Sequence, residues 1–113
     1  MIILNNDMVS YIKERDDGHH AHNLVTNVMY EMNVDIHGAM CWIEQRNDHI
    51  IQQFLTTKKE ILDLDKELDW YIWGIGNLVR GTISWFYESE RYFGKRGLEI
   101  QQDRWIDLYF RKE

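Results

Sequence analysis

Proline is absent from this sequence, and cysteine occurs once, as Cys41. Without proline nothing in the covalent chain forces a helix to stop, and a single cysteine permits no internal disulfide, so a reducing compartment is acceptable. No run of 18 or more apolar residues occurs, and the apolar start Met1 to Leu4 is too short for a signal peptide. A soluble, cytoplasmic chain is expected. Basic residues are outnumbered, with a net charge of −6. That argues against binding nucleic acid or an anionic membrane, which draws on clustered Lys and Arg. An anionic substrate would need a metal or local cations. There is also no sustained period-two alternation, no internal repeat and no low-complexity linker, which leaves all-α as the class the pattern supports.

What the chain does have is an ordinary balance of 44% apolar and 28% charged residues over 113 positions. That is one small domain, burying roughly 60% of its unfolded surface. Five Trp and six Tyr are less ordinary, and they require a packed interior or a lined cavity.

The periodicity predicts a first helix over about residues 2–16, stopped at Gly18, and a loop through His19, His20 and His22. A second helix starts near Asn23. Asn33 and Asp35 mark a break, with Asp35 as N-cap of a long third helix outlined by Ala39, Met40, Ile43, Ile50, Phe54, Leu55 and Leu62. A charged hinge over 63–66 follows, with Asp65 capping a fourth helix over about 67–89. A loop over 94–97 leads to a last helix or helical tail over 98–110. In the fourth helix, Ile72, Ile75, Val79, Ile83 and Phe86 form one stripe, and Trp70, Gly74, Asn77, Gly81, Trp85 and Glu88 form another opposite it. Two such faces are expected of an interior helix, one packing on neighbours and the other lining a cavity.

The first helix carries the chemistry. Asn6, Ser10 and Glu14 recur every fourth residue, at about 0°, 40° and 80° around the axis, with Lys13 about 20° to the other side of Asn6. Side chains lean toward the helix N-terminus, so the long Glu14 at the C-terminal end can reach toward the short Asn6. Hard oxygens suit Mg²⁺, which usually completes its octahedron with water or phosphate oxygens. Lys13 beside it would meet phosphate as a point charge. Taken alone, the stripe is also what the wet face of an amphipathic helix presents.

Asn6-Asp7-x-x-Ser10-x-x-Lys13-Glu14 resembles the second metal-binding motif, NDxxSxxKE, of class I terpene synthases. Downstream, Trp85-Phe86-Tyr87-Glu88-Ser89-Glu90-Arg91-Tyr92-Phe93-Gly94 is similar to the late Arg-Tyr stretch of the fungal type. His22-Asn23-Leu24-Val25, Gly38-Ala39-Met40 and Gly76-Asn77-Leu78-Val79-Arg80-Gly81 extend the likeness over nearly the whole chain. The resemblance implies the C-terminal helices of the isoprenoid synthase bundle, with residues 1–113 a C-terminal portion truncated on its N-terminal side. It implies Mg²⁺ held by Asn6, Ser10 and Glu14, and a substrate diphosphate held by Lys13, Arg91 and Tyr92. Trp85 and Phe86 are the candidate cavity-lining aromatics, their ring faces suited to a carbocation. The reaction implied is ionisation and cyclisation of a prenyl diphosphate, farnesyl diphosphate by the fungal sesquiterpene type.

The family's aspartate-rich DDxxD motif is not in the sequence, since Asp16-Asp17 leads into Gly18-His19-His20. A catalytically inactive fragment or helical interaction module is therefore the competing reading, with self-association through exposed apolar faces. His19, His20 and His22 lack a cysteine or acid to close a tetrahedral metal set. Gly74-Ile75-Gly76 has no preceding strand or third glycine for a dinucleotide fingerprint. Cys41, beside Trp42 and without a basic partner, reads as a core residue.

Overall fold

A computed structural model describes residues 1–62, 64 and 66–109; Asp63 and Asp65, expected to form the hinge and the fourth helix's cap, lie outside them, as does Phe110. Six α-helices follow in order: α1 (Ile2–Asp16), α2 (Leu24–Met32), α3 (Ile36–Leu62), α4 (Lys66–Glu88), α5 (Glu90–Phe93) and α6 (Gly97–Asp103). Short 3₁₀ turns occupy His20–His22 and Gly94–Arg96, and no strand occurs among the described residues. No described helix is long and apolar enough to cross a membrane.

The helix ends follow from local chemistry. Gly18 at φ 76 closes α1. Its N–H donates to the Arg15 carbonyl and that of His19 to Glu14, the paired bonds of a Schellman motif. Asn33 ends α2 at φ 50, a left-handed conformation that Asn tolerates better than most residues. Asp35 then accepts the Gly38 N–H at 2.8 Å, the N-cap expected for α3.

Two apolar clusters meet at α1. Tyr11 packs with Val25 and Val28 of α2 and with Ile36, Ala39 and Ile43 of α3. On the other flank, Val9 packs against Phe86, Tyr92, Phe93 and Ile100, contributed by α4, α5 and α6. In this second cluster the Tyr92 ring stands edge-on to both Phe86 and Trp85, at 5.3 and 5.6 Å between centroids. Each such pair adds about 0.5–1.5 kcal/mol beyond area burial.

Three expectations are corrected. The last helix ends at Asp103 rather than near 110, because Arg104 turns left-handed at φ 54. Beyond it, Ile106 packs on the second cluster and Leu108 on the first. The Leu108 carbonyl accepts a bond from Arg15 Nη1 at 2.6 Å. The tail therefore lies over α1 in a non-helical conformation, tied through an oxygen that a continuing helix would have used itself.

The second stripe of α4 is not interior among the described residues. Trp70 is 71% exposed and Trp85 about half exposed, while Gly74 and Gly81 have open space where a Cβ would stand. Ile72 and Phe86 do face inward as expected, but Ile83 from the same stripe is exposed. Cys41 is exposed as well. The buried face of α3 runs through Ala39 and Ile43, and a residue midway between them points about 200° away.

α6 approaches α4 closely at Gly97, where a Cβ would sit on the Tyr87 carbonyl oxygen. A backbone atom cannot swing aside as a side chain can. Gly97→Ala should therefore destabilise the protein by about 1–3 kcal/mol, the ordinary cost of overpacking, seen as a lower midpoint in urea denaturation. Gly74→Ala, at an open position, should be neutral or stabilising.

Candidate metal and diphosphate site

The polar face of α1 is bracketed at both ends by other elements. At its N-terminal end Asn6 Nδ2 donates to Tyr92 Oη at 3.2 Å, across 86 positions of sequence. This leaves the Asn6 carbonyl oxygen as the atom that bond does not use. Tyr92 reaches α1 because Ser89, with extended backbone at ψ 140, breaks the helix after Glu88, and α5 turns back. Gly94 then reverses the chain at φ 58, ψ −142, in a region open essentially to glycine alone.

At the other end the bracket is Asn23, 2% exposed at the start of α2. Its Oδ1 accepts the Val25 N–H at 2.9 Å, capping α2. Its Nδ2 faces three acceptors: the Asp7 carbonyl at 2.8 Å, Ser10 Oγ at 3.3 Å and Glu14 Oε2 at 3.0 Å. Asp7 completes the junction by accepting the Leu24 N–H on its own carboxylate at 3.0 Å, an anion at a helix N-terminus.

Of the six residues expected to hold metal and diphosphate, four share this face directly. Asn6 is tied to Tyr92, while Ser10 and Glu14 meet at Asn23. Ser10 is buried and Glu14 half-buried. Arg91 is exposed beside them, its guanidinium carbon 5.7 Å from the Tyr92 ring centre, within cation–π range. Lys13 turns to the other side and pairs with Asp17 at 3.0 Å.

The two aromatics divide. Phe86 lines a pocket of about 260 Å³ whose walls include Val9, Phe93 and Ile100. Trp85 does not belong to that pocket; it stands half-exposed at the edge of Tyr92. A larger groove of about 410 Å³ runs between α1, α3 and α4, lined by Asn5, Asn47, Phe54, Ile72 and Val79.

Residues 1–53 match the sequence profile of the terpene synthase family 2 C-terminal metal-binding region. That stretch covers α1, α2 and the first part of α3, including Asn6, Ser10 and Glu14. Two similar proteins are Delta(6)-protoilludene synthases, from Stereum hirsutum at 39% identity and from Hypholoma sublateritium at 44%. A third is sesquiterpene synthase 14 of Postia placenta, at 38%. Each alignment covers 96% of this chain but only 32–34% of the relative, so the chain spans about a third of the length of the curated relatives it matches. Over residues 1–53 by family profile, and over 96% of its length by pairwise comparison, the chain is similar to terpene synthases of the fungal sesquiterpene type.

The likeness to a metal-binding region bears on the donor set of α1. Among the described residues no group of three or more His, Cys, Asp or Glu comes together, so the loop histidines form no transition-metal cluster. The oxygens of α1 are instead a mixed amide, hydroxyl and carboxylate set. All three are hard donors, and they fit a divalent oxygen-seeking cation better than a thiophilic one.

Asp7 and Asn23 escaped the sequence reading as parts of this face. Asn ahead of an apolar run is an N-cap signal, so the cap was there to be found. That its other half would meet Ser10 and Glu14 depends on how α2 packs on α1, which periodicity does not carry. Replacing the Asp7 carboxylate should loosen this junction. Asp7→Ala should cost about 1 kcal/mol through the lost acceptor at the α2 N-terminus, measured by thermal or urea unfolding. Ser10→Ala, which leaves both helix ends capped, should cost less.

Proposed function

We propose that this chain is the C-terminal portion of a terpene synthase catalytic bundle, acting on a prenyl diphosphate and, by its sesquiterpene-type relatives, on farnesyl diphosphate. The observation that carries the proposal is the Asn6–Tyr92 hydrogen bond. It joins the metal-type motif of α1 to the Arg-Tyr pair, bringing two features 86 positions apart onto one face.

In this reading Asn6, Ser10 and Glu14 hold Mg²⁺, which when bound neutralises diphosphate oxygens and favours departure of the leaving group. Arg91 offers a planar fork of donors to those oxygens, and the Tyr92 hydroxyl a neutral donor. Lys13 joins them by leaving Asp17, an exposed i,i+4 pair worth only about 0.3–0.5 kcal/mol. Trp85 packs against Tyr92 with its ring half-exposed, and in this reading it would stabilise the hydrocarbon cation left after ionisation. Cyclisation then needs no protein nucleophile, only a shaped apolar wall and the exclusion of water.

The exposed face of α4 favours a second reading, a helical module that works by association. Trp70, Tyr71, Trp73 and Leu78 are all more than half exposed, an apolar area of the kind that marks interaction surfaces. Such a module would self-associate or take a partner, with no chemistry of its own.

Two measurements test these readings. Mg²⁺ with inorganic pyrophosphate should raise the melting temperature of the chain, and Glu14→Gln or Arg91→Ala should weaken pyrophosphate binding roughly 10–100-fold. Unchanged binding in both variants would remove the assigned ligand set. Incubation with farnesyl diphosphate and Mg²⁺, read by gas chromatography and mass spectrometry, addresses the chemistry. A sesquiterpene hydrocarbon made by this chain alone would sink the inactive-module reading.

A further inference from the structure

Capping α2 requires one acceptor at position 23, and Ser, Thr or Asp would supply it as well as Asn does. The side chain there does more. With Oδ1 on the Val25 N–H, planarity aims Nδ2 back at α1, where it finds Ser10 Oγ and Glu14 Oε2 together with the Asp7 carbonyl. Asp would face Glu14 with a second carboxylate in place of a donor. Ser would be too short to reach across. Only a group that accepts at one end and donates at the other satisfies both helices, and this one is buried to 2% exposure.

We infer that Asn23 is a positioning residue for the metal face, holding Ser10 and Glu14 in the orientation from which they bind a divalent cation. The inference rests on the assignment of Ser10 and Glu14 to that cation. A glutamate left to itself distributes over many rotamers, and ordering it on binding costs conformational entropy. Here the Oε2 bond to Asn23 orders Glu14 in advance and leaves Oε1 as the oxygen outside that bond. Ser10, one turn away on the same face, lies 3.3 Å from the same nitrogen and shares its two hydrogens with Glu14 and the Asp7 carbonyl. Both oxygens are thus turned toward the Asn23 amide on one side and keep their remaining lone pairs for a metal. Outer partners that orient metal ligands in this way typically account for 10–100-fold in affinity.

The role separates from helix capping by substitution. Asn23→Ser keeps an acceptor for α2 but removes the donor; Asn23→Ala removes both. Isothermal titration with Mg²⁺ alone should show about a 10–100-fold loss of affinity in both variants. The melting temperature should fall by roughly 4–8 °C further in the Ala variant than in the Ser variant. Glu14→Gln serves as the control for the metal site. Wild-type affinity in Asn23→Ser alongside lost affinity in Glu14→Gln would overturn the positioning role and leave the metal face standing. Wild-type affinity in Glu14→Gln would overturn the metal face and the positioning role with it. Should Asn23→Ser fail to fold, the native chain still decides: Mn²⁺ should broaden the Asn23 side-chain amide signals in a ¹⁵N spectrum. If those signals stay sharp while Mn²⁺ broadens signals of Asn6 and Ser10, the role is excluded.

Discussion

The arrangement depends on α1 burying two flanks while keeping a polar face available. Its apolar residues do not form one stripe. Tyr11 goes to the α2–α3 cluster and Val9 to the cluster built by α4, α5 and α6, so the helix is the wall the two cores share. The polar residues between those flanks are consequently held from both sides, by Tyr92 at one end and Asn23 at the other. A helix packed on one side only could carry the same oxygens, but nothing would fix their side chains.

Much of this was legible beforehand, for reasons that differ by element. α1 and α3 were readable because their ends carry explicit chemistry: Gly18 can turn left-handed where other residues resist, and Asp35 caps a helix with its own side chain. The shared face of Asn6, Ser10 and Glu14 was readable from their four-residue spacing on a helix, whereas its metal reading came from the resemblance. The tail was not readable. Its apolar residues suit a helix, yet Ile106 and Leu108 go to separate clusters and Arg15 takes the Leu108 carbonyl. Tertiary demand of that kind overrides propensity.

Asn23 shows the same limit from the other side. As a cap it is local, and the sequence announces it. As a donor to Ser10 and Glu14 it is a relation between two helices, set by the packing of Tyr11 against Val25 and Val28. The chemistry of the site therefore leans on the first apolar cluster. A mutation there that shifted α2 against α1 would change which acceptors the Asn23 nitrogen can reach.

The two stripes of α4 illustrate how one pattern supports opposite outcomes. Small, polar and indole groups at helical spacing signal a face not intended for water, and that signal is real whether or not its neighbours are in the same polypeptide. Here the face carries Trp70 and Trp85 in the open, while the inward face anchors the helix through Ile72 and Phe86. Trp85 connects this face to the site, since its ring packs edge-on against Tyr92, whose hydroxyl receives Asn6. A partner covering the exposed face of α4 at Trp85 would therefore meet a ring that packs against Tyr92, the residue bonded to Asn6 at the N-terminal end of the polar face.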